Sequence, residues 1–342
     1  MLVGTTLAYA TDPRGGADAV AAWEQDGLDV VWVSEAYGFD APTIMGYLAA
    51  RTSRLRIGSA ILPIYSRTPA LLAQTAAGLD AMSGGRAILG LGASGPQVVE
   101  GWHGVAYDRP LARTREVIRI CRQVWRRETL VHDGVYRLPL PAGEGTGLGK
   151  PLKMLTHPVR ERIPIYVASL GARNVRMTAE IADGWLPFLY DPQRADDVWG
   201  AALTAGRAAR SADLAPLQVV AGGPLAIGPD VTSLRDLARP LIALYVGGMG
   251  AKGRNFYHDL LCRYGYAAEA DRIQELYLAG RKAEAAAAVP ADLLERTSLI
   301  GPESYVRDRV QAYREAGVTV LNVTPLGPDP RRLIATVADL AR

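Results

Sequence analysis

The chain is poor in the residues that build crosslinks and metal sites. Its two cysteines, Cys121 and Cys262, fall singly in stretches that read as helices, which excludes a disulfide framework and a CxxC redox or zinc pair. A reducing, cytoplasmic setting is expected. The four histidines, His103, His132, His157 and His258, keep no HxxxH or related spacing, so no metal site is expected on them. No apolar run reaches the roughly 18 residues that cross a bilayer, and the opening MLVGTTLAYATD has no basic n-region. Neither membrane insertion nor export is expected. Lysine is scarce, with only Lys150, Lys153, Lys252 and Lys282, and Lys+Arg 38 against Asp+Glu 35 leaves a formal charge of +3. No basic block carries interleaved aromatics, so nucleic acid is a poor partner. The chemistry is expected to use an organic cofactor or ordinary acid and base groups.

What is present suits a globular protein. With 49% hydrophobic residues, 21% charged and a mean hydropathy of +0.04, there is ample material for a core. A length of 342 residues would suggest two domains at roughly 150 each, but α/β barrels with insertions often exceed that as one unit. Short β-branched runs alternate with amphipathic segments throughout. Strands are expected at Leu2 to Ala8, Val30 to Ser34, Leu55 to Ile61, Ala87 to Leu91, Ile163 to Ala168, Trp185 to Leu189, Leu217 to Ala226 and Val318 to Val323. That is about eight, the number a (β/α)8 TIM barrel requires, and several are continuous apolar runs, as strands buried on both faces should be. Helical patterns fill the gaps, among them Ala41 to Arg51, Pro69 to Met82 and Leu111 to Arg126. Residues 129–162 and 247–302 exceed the minimal repeat and read as insertions within one domain covering 1–342.

Four local patterns could carry chemistry. Gly90-Leu-Gly-Ala-Ser-Gly95 matches GxGxxG, but Pro96 follows at once and the next clear helix is expected only near Leu111. A turn at a barrel mouth, where backbone comes close to a ligand, explains it better than a dinucleotide fingerprint. Ile163 to Asn174 reads as a strand, a small-residue turn and a helix. Its N–H groups at Gly171, Ala172 and Arg173 suit a phosphate, and the alternative is a plain turn capped by Ser169. Glu35 follows a buried strand at the rim where barrel catalytic groups sit, as a cofactor contact or proton carrier, or else as a helix-entry acid near Asp40. Glu100 and His103 form either an acid and base pair or, better, a loop clasp.

Taken in order, SEAYGFD (34–40), IGSAILPIYSRTPALLAQ (57–74), SGGRAILGLGASGPQVVEGWHG (83–104), RPLARTREVI (109–118), IPIYVASLGARN (163–174) and ADGW (182–185) resemble the bacterial-luciferase-like oxidoreductases. The likeness is to their deazaflavin branch, which uses coenzyme F420. It covers almost the whole chain and implies a (β/α)8 barrel with an insertion before the last strand and the cofactor at the C-terminal mouth. By resemblance, Ser59 and Ala60 fall where relatives have a non-prolyl cis peptide whose bulge backs the cofactor ring. Glu35 falls at the ring edge, Ser94 and Gly95 near the cofactor side chain, and Ser169, Leu170, Gly171, Ala172 and Arg173 at its phosphate. A homodimer packed through Ala41 to Arg51 and Pro69 to Met82 is also implied. Ala36, Pro96 and Gln97 stand where sugar-phosphate dehydrogenases of the family carry His and Glu, which speaks against that activity. The expected function is hydride transfer between F420 and an organic small molecule, with reduction of an activated C=C or C=N bond favoured. Glu35, Tyr37 or Tyr65 would move the proton. The alternatives are an FMN-dependent monooxygenase and a non-catalytic cofactor-binding protein.

Overall fold

The computed structural model describes residues 1–9 and 12–342. The ten strands are β1 (Leu2–Leu7), β2 (Val30–Val33), β3 (Arg56–Ser59), β4 (Leu62–Pro63), β5 (Ala87–Gly92), β6 (Ile165–Ala168), β7 (Gly184–Leu186), β8 (Gln218–Ile227), β9 (Leu299–Gly301) and β10 (Val320–Pro325). All pairings between them are parallel. The order β1-β2-β3-β5-β6-β7-β8-β10 closes because β10 pairs with both β8 and β1. These are the eight expected barrel strands, each displaced by three residues at most. The short β4 and β9, which escape the sequence pattern, are two- and three-residue extensions paired to β5 and β8.

Inside the barrel, Val30, Trp32, Ile88, Tyr166, Val220 and Val320 form one buried cluster. A larger cluster fills the space between strands and helices. Trp32 is 0% exposed and fits because its neighbours lack side chains: a Cβ on Gly58 would stand 2.4 Å from its ring. Excluding Trp32 from water is the dominant local gain, since a buried aromatic removes ~150–250 Å² of surface.

The helices begin where capping chemistry permits. Asp40 accepts from the Thr43 N–H at 3.1 Å to start Ala41–Arg51, and Thr68 accepts from Leu71 at 3.2 Å to start Pro69–Ser83. Gly84, at φ 66°, ends the latter in the left-handed conformation glycine tolerates. One expectation needs correction. A helix follows Gly95 directly, over Pro96–Gly101, because Pro96 supplies the preset φ of a first helical residue. The insertion at 247–302 does not start with a loop. Gly247 and Gly248 finish the helix Arg239–Gly248, where a Cβ on either would collide with the Tyr277 side chain at 2.3 and 2.5 Å.

Candidate functional site

Parallel strands put all their C-terminal ends on one rim, and the loops leaving that rim hold most of the residues singled out above. The wall at β3 is irregular. Ile57 pairs with Ala87, an offset of 30, whereas Leu62 pairs with Leu91, an offset of 29 (87 − 57 against 91 − 62), so one extra residue bulges between β3 and β4. A cis peptide joins Ala60 to Ile61, one residue beyond the Ser59–Ala60 position expected. Ser59 is still held in the ladder: it pairs with Val33, its Oγ donates to Gly90 O at 2.8 Å, and the Gly90 N–H donates to that Oγ at 2.9 Å. The bulge can start only after it. GxGxxG has its explanation here. A Cβ on Gly90 would lie 1.7 Å from Ser59 O, and one on Gly92 2.9 Å from the Ile61 side chain, so the first two glycines let β5 approach the bulge.

Ser94 adopts φ 57° and its carbonyl accepts from the Tyr107 hydroxyl at 3.4 Å. Gly95 caps the short helix, and the Met249 carbonyl lies 3.9 Å from where its Cβ would be. The segment from Met249 to Arg254 therefore comes down beside the β5 turn. It is closed by a bridge between Ala251 and Arg254 and anchored by buried Asn255, whose amide donates to Tyr245 and Val246 carbonyls. Lys252 and Arg254 are exposed and pair with no carboxylate among the described residues.

Across the mouth, the turn after β6 is held from behind. Trp185 Nε1 donates to Ser169 O and Trp199 Nε1 to Leu170 O, each at 2.9 Å. Ser169 does not cap the helix Ala172–Ile181. Its hydroxyl is buried against Thr178 Oγ1 at 3.0 Å, and the cap is Gly171, without any side-chain bond. With two carbonyls fixed by those indoles, the N–H groups of Ala172 and Arg173 find neither an intrahelical acceptor nor a side-chain cap. A Cβ on Gly171 would meet nothing within 4 Å. Open space in front of uncapped amides at the positive end of a helix fits a phosphate group.

The three expected proton carriers fare differently. Glu35 is held by Arg67 through both carboxylate oxygens and also accepts from the Ala41 N–H at 2.8 Å. Tyr65 is buried, donates its hydroxyl to Asp108 O at 2.7 Å and packs on Tyr107 with ring centroids 5.2 Å apart. Burial pushes its phenol well above the ordinary range. Tyr37 alone stands open, 57% exposed, with its ring 6.3 Å from that of Trp102. Glu100 accepts from the Tyr107 N–H at 3.1 Å, which makes it a loop clasp.

The sequence reading missed an aromatic wall. Phe188, after β7, packs 4.4 Å from Tyr245 and 5.1 Å from Tyr257, and those two tyrosines lie 4.7 Å apart. Tyr9, after β1, joins them. The walls of the mouth desolvate its phenol and, with Tyr245, Tyr37 and Glu35 nearby, push it up to about 12. The recurrence of tyrosine from Tyr245 into the insertion was the available signal, but only folding brings Tyr245 and Tyr257 over strand ends distant in sequence.

Two surface clefts, of about 310 and 490 Å³, lie apart from this rim, one along Glu303, Arg307, Arg332 and Asp339, the other along Arg207, Arg210 and Leu217. Neither includes a C-terminal strand end. Among the described residues, no three His, Cys, Asp or Glu side chains gather as a metal site, and no helix is long and apolar enough to cross a membrane.

A closed parallel barrel with a strand bulge and a turn of uncapped amides on its C-terminal rim defines a (β/α)8 barrel. The chain belongs to the luciferase-like monooxygenase family, whose model matches residues 2–320. It is 43% identical over 334 residues, 95% of each chain, to a Mycobacterium tuberculosis protein named as a coenzyme F420-dependent oxidoreductase. It is 27% identical to the 5,10-methylenetetrahydromethanopterin reductase of Archaeoglobus fulgidus, over 92% of this chain and 90% of that one. Among solved structures, the coenzyme F420-dependent tetrahydromethanopterin reductase of Methanopyrus kandleri superposes with a TM-score of 0.77 at 25% identity, covering 98% of this chain and 97% of that one.

Proposed function

We propose that this protein is an F420-dependent oxidoreductase that reduces an activated C=C or C=N bond of an organic substrate. The observation that carries the reading is the β6 turn, with its carbonyls pinned by Trp185 and Trp199 and its amides open. In a family whose similar members are named for F420, that turn has a phosphorylated deazaflavin to hold. Gly171, Ala172 and Arg173 bind the phosphate, Ser94 and Gly95 line the cofactor side chain, and Ser59 and Ala60 hold the bulge against the ring. Bound and reduced, F420 supplies a hydride, two electrons and one hydrogen nucleus, to the electrophilic carbon.

The chain's own part is orientation and the return of one proton to the neighbouring atom, which completes the addition of two hydrogens. Glu35 and Tyr65 have their polar atoms engaged, which leaves the Tyr37 hydroxyl as the donor at the mouth. Tyr37→Phe should lower kcat at least tenfold and leave KM within about twofold. An unchanged kcat would move proton return to solvent.

The cofactor is tested by titrating the purified protein with F420 and, separately, FMN. F420 should bind much more tightly, and reduced F420 should be reoxidised by an added enone. Tight FMN binding with oxygen consumption would replace this reading by a monooxygenase.

A further inference from the structure

The loops of the mouth leave large aromatic side chains open, among them Tyr9, 58% exposed, Tyr37, 57%, and Trp102, 65%, with Phe39, 65%, on the same loop as Tyr37. They leave from three different strands, β1, β2 and β5, and still converge: Tyr37 and Trp102 have ring centroids 6.3 Å apart at 52°, and a Cβ on Gly38 would come within 3.8 Å of the Tyr9 ring. Scattered exposed aromatics are ordinary, but a contiguous apolar patch at the entrance of a site marks what enters it. Behind the patch the surface continues as the packed wall of Tyr245, Phe188 and Tyr257.

This wall is also electrically neutral. Glu35 and Arg67, beside this wall, satisfy each other through two hydrogen bonds, so neither can receive an ionic substrate. The phenols remain protonated at neutral pH, since burial raises Tyr245 and Tyr257, and Tyr9 stands near 12. Lys252 and Arg254, on the segment beside Gly95, serve the acidic part of the cofactor; against the aromatic wall itself an anion would lose its hydration and find no partner. A neutral ring would stack on faces already half stripped of water.

We infer that the substrate is an uncharged, planar molecule with an aromatic or extended conjugated face, and that Tyr37 and Trp102 hold that face at the mouth. This rests on the hydride-transfer reading for the reaction but not for the binding. Substrate choice is thus set by ring contact across the loops after β2 and β5, and the Tyr37 ring acts in it separately from the Tyr37 hydroxyl.

The test uses the F420-loaded protein and two probes of equal shape, the neutral enone benzylideneacetone and the anion cinnamate, with binding measured by calorimetry and reduction by cofactor reoxidation. The ketone should bind at least tenfold more tightly than the acid. Trp102→Ala and Tyr37→Ala should each weaken the ketone tenfold or more, leave F420 affinity unchanged and retain the parent's melting temperature, whereas Tyr37→Phe should bind the ketone like the parent. Cinnamate binding as well as the ketone, no ketone binding by the parent, or parental ketone affinity in both alanine variants would overturn the inference. Ketone binding that follows the expected order without any reduction would instead remove the C=C reading of the reaction and leave the substrate surface standing.

Discussion

Arg67 grips the Glu35 carboxylate with both ends of its guanidinium, Nη1 to Oε1 and Nη2 to Oε2, and so ties the loop after β2 to the segment that enters the helix Pro69–Ser83. Both side chains are largely shielded, at 6% and 15% exposure. Removing one partner of such a pair strands the other without water. Arg67→Met should therefore destabilise the fold by about 3 kcal/mol. Glu35→Gln, which can still accept from the Ala41 N–H, should lose about 1–2 kcal/mol. Chemical denaturation of the two variants checks the order, and equal stability of parent and Arg67→Met would show that the pair contributes nothing.

Two glycines make opposite predictions from the same substitution chemistry. At Gly171 a side chain meets open space, so Gly171→Val should fold normally while its branches crowd the amides of Ala172 and Arg173. F420 affinity should fall more than tenfold, about 1.4 kcal/mol or more for charge-assisted hydrogen bonds lost. At Gly90 the added methyl would overlap Ser59 O, so Gly90→Ala should cost about 3 kcal/mol or more by forcing β3 and β5 apart. Melting curves and cofactor titrations of both variants separate the two effects.

Lys252 and Arg254 sit on the segment beside Gly95, exposed and without acidic partners among the described residues. Their field should draw the acidic part of the cofactor toward the mouth. In Lys252→Ala/Arg254→Ala the Kd for F420 should rise at low salt and converge with the parent's at high salt, as screening removes the difference. Matching curves at both ionic strengths would make the segment a connector only.

Glu24 contributes to the acid limb of stability. Burial alone would raise its pKa, but the N–H groups of Arg54, Leu55 and Ser53 and the Ser53 hydroxyl all donate to its carboxylate and bring it below the ordinary range. A depressed carboxyl contributes stability that is fully present above its unfolded pKa, about 4.3, and is lost as pH falls through the lower folded value. Glu24→Gln should thus lose about 2 kcal/mol near pH 7, with the difference from the parent shrinking below about pH 4. A gap that stays constant with pH would assign the loss to packing.

The proposed homodimer rests on Pro69–Ser83 and Ala41–Arg51. Leu71 and Met82, 46% and 76% exposed, lie eleven residues apart, within about 20° on one helix face. Light scattering at micromolar concentration should give twice the 36.6 kDa chain mass, and Met82→Asp should shift it toward the monomer. A monomeric parent would refute the dimer.

By itself the sequence determined the eight barrel strands and most helix starts, because apolar runs such as Val30 to Val33 and caps such as Asp40 and Thr68 act over a few residues. It also located the small-residue turn between β6 and the helix Ala172–Ile181, but not that Ser169 leaves that helix uncapped to bond Thr178. Tertiary structure alone decided what the polar atoms do. Glu35 reads equally as a rim acid or a helix-entry acid until Arg67, thirty-two residues on, closes over it and the Ala41 N–H takes its other side, and Tyr65 reads as a mouth phenol until Asp108 takes its hydroxyl. Ser59 and Gly90 fix where the bulge starts, a matter of pairing register that neither strand encodes alone. The aromatic wall is the extreme case: Tyr9, Tyr37, Trp102, Phe188, Tyr245 and Tyr257 come from segments with no periodicity in common, and only the closure of the barrel brings their loops to one rim.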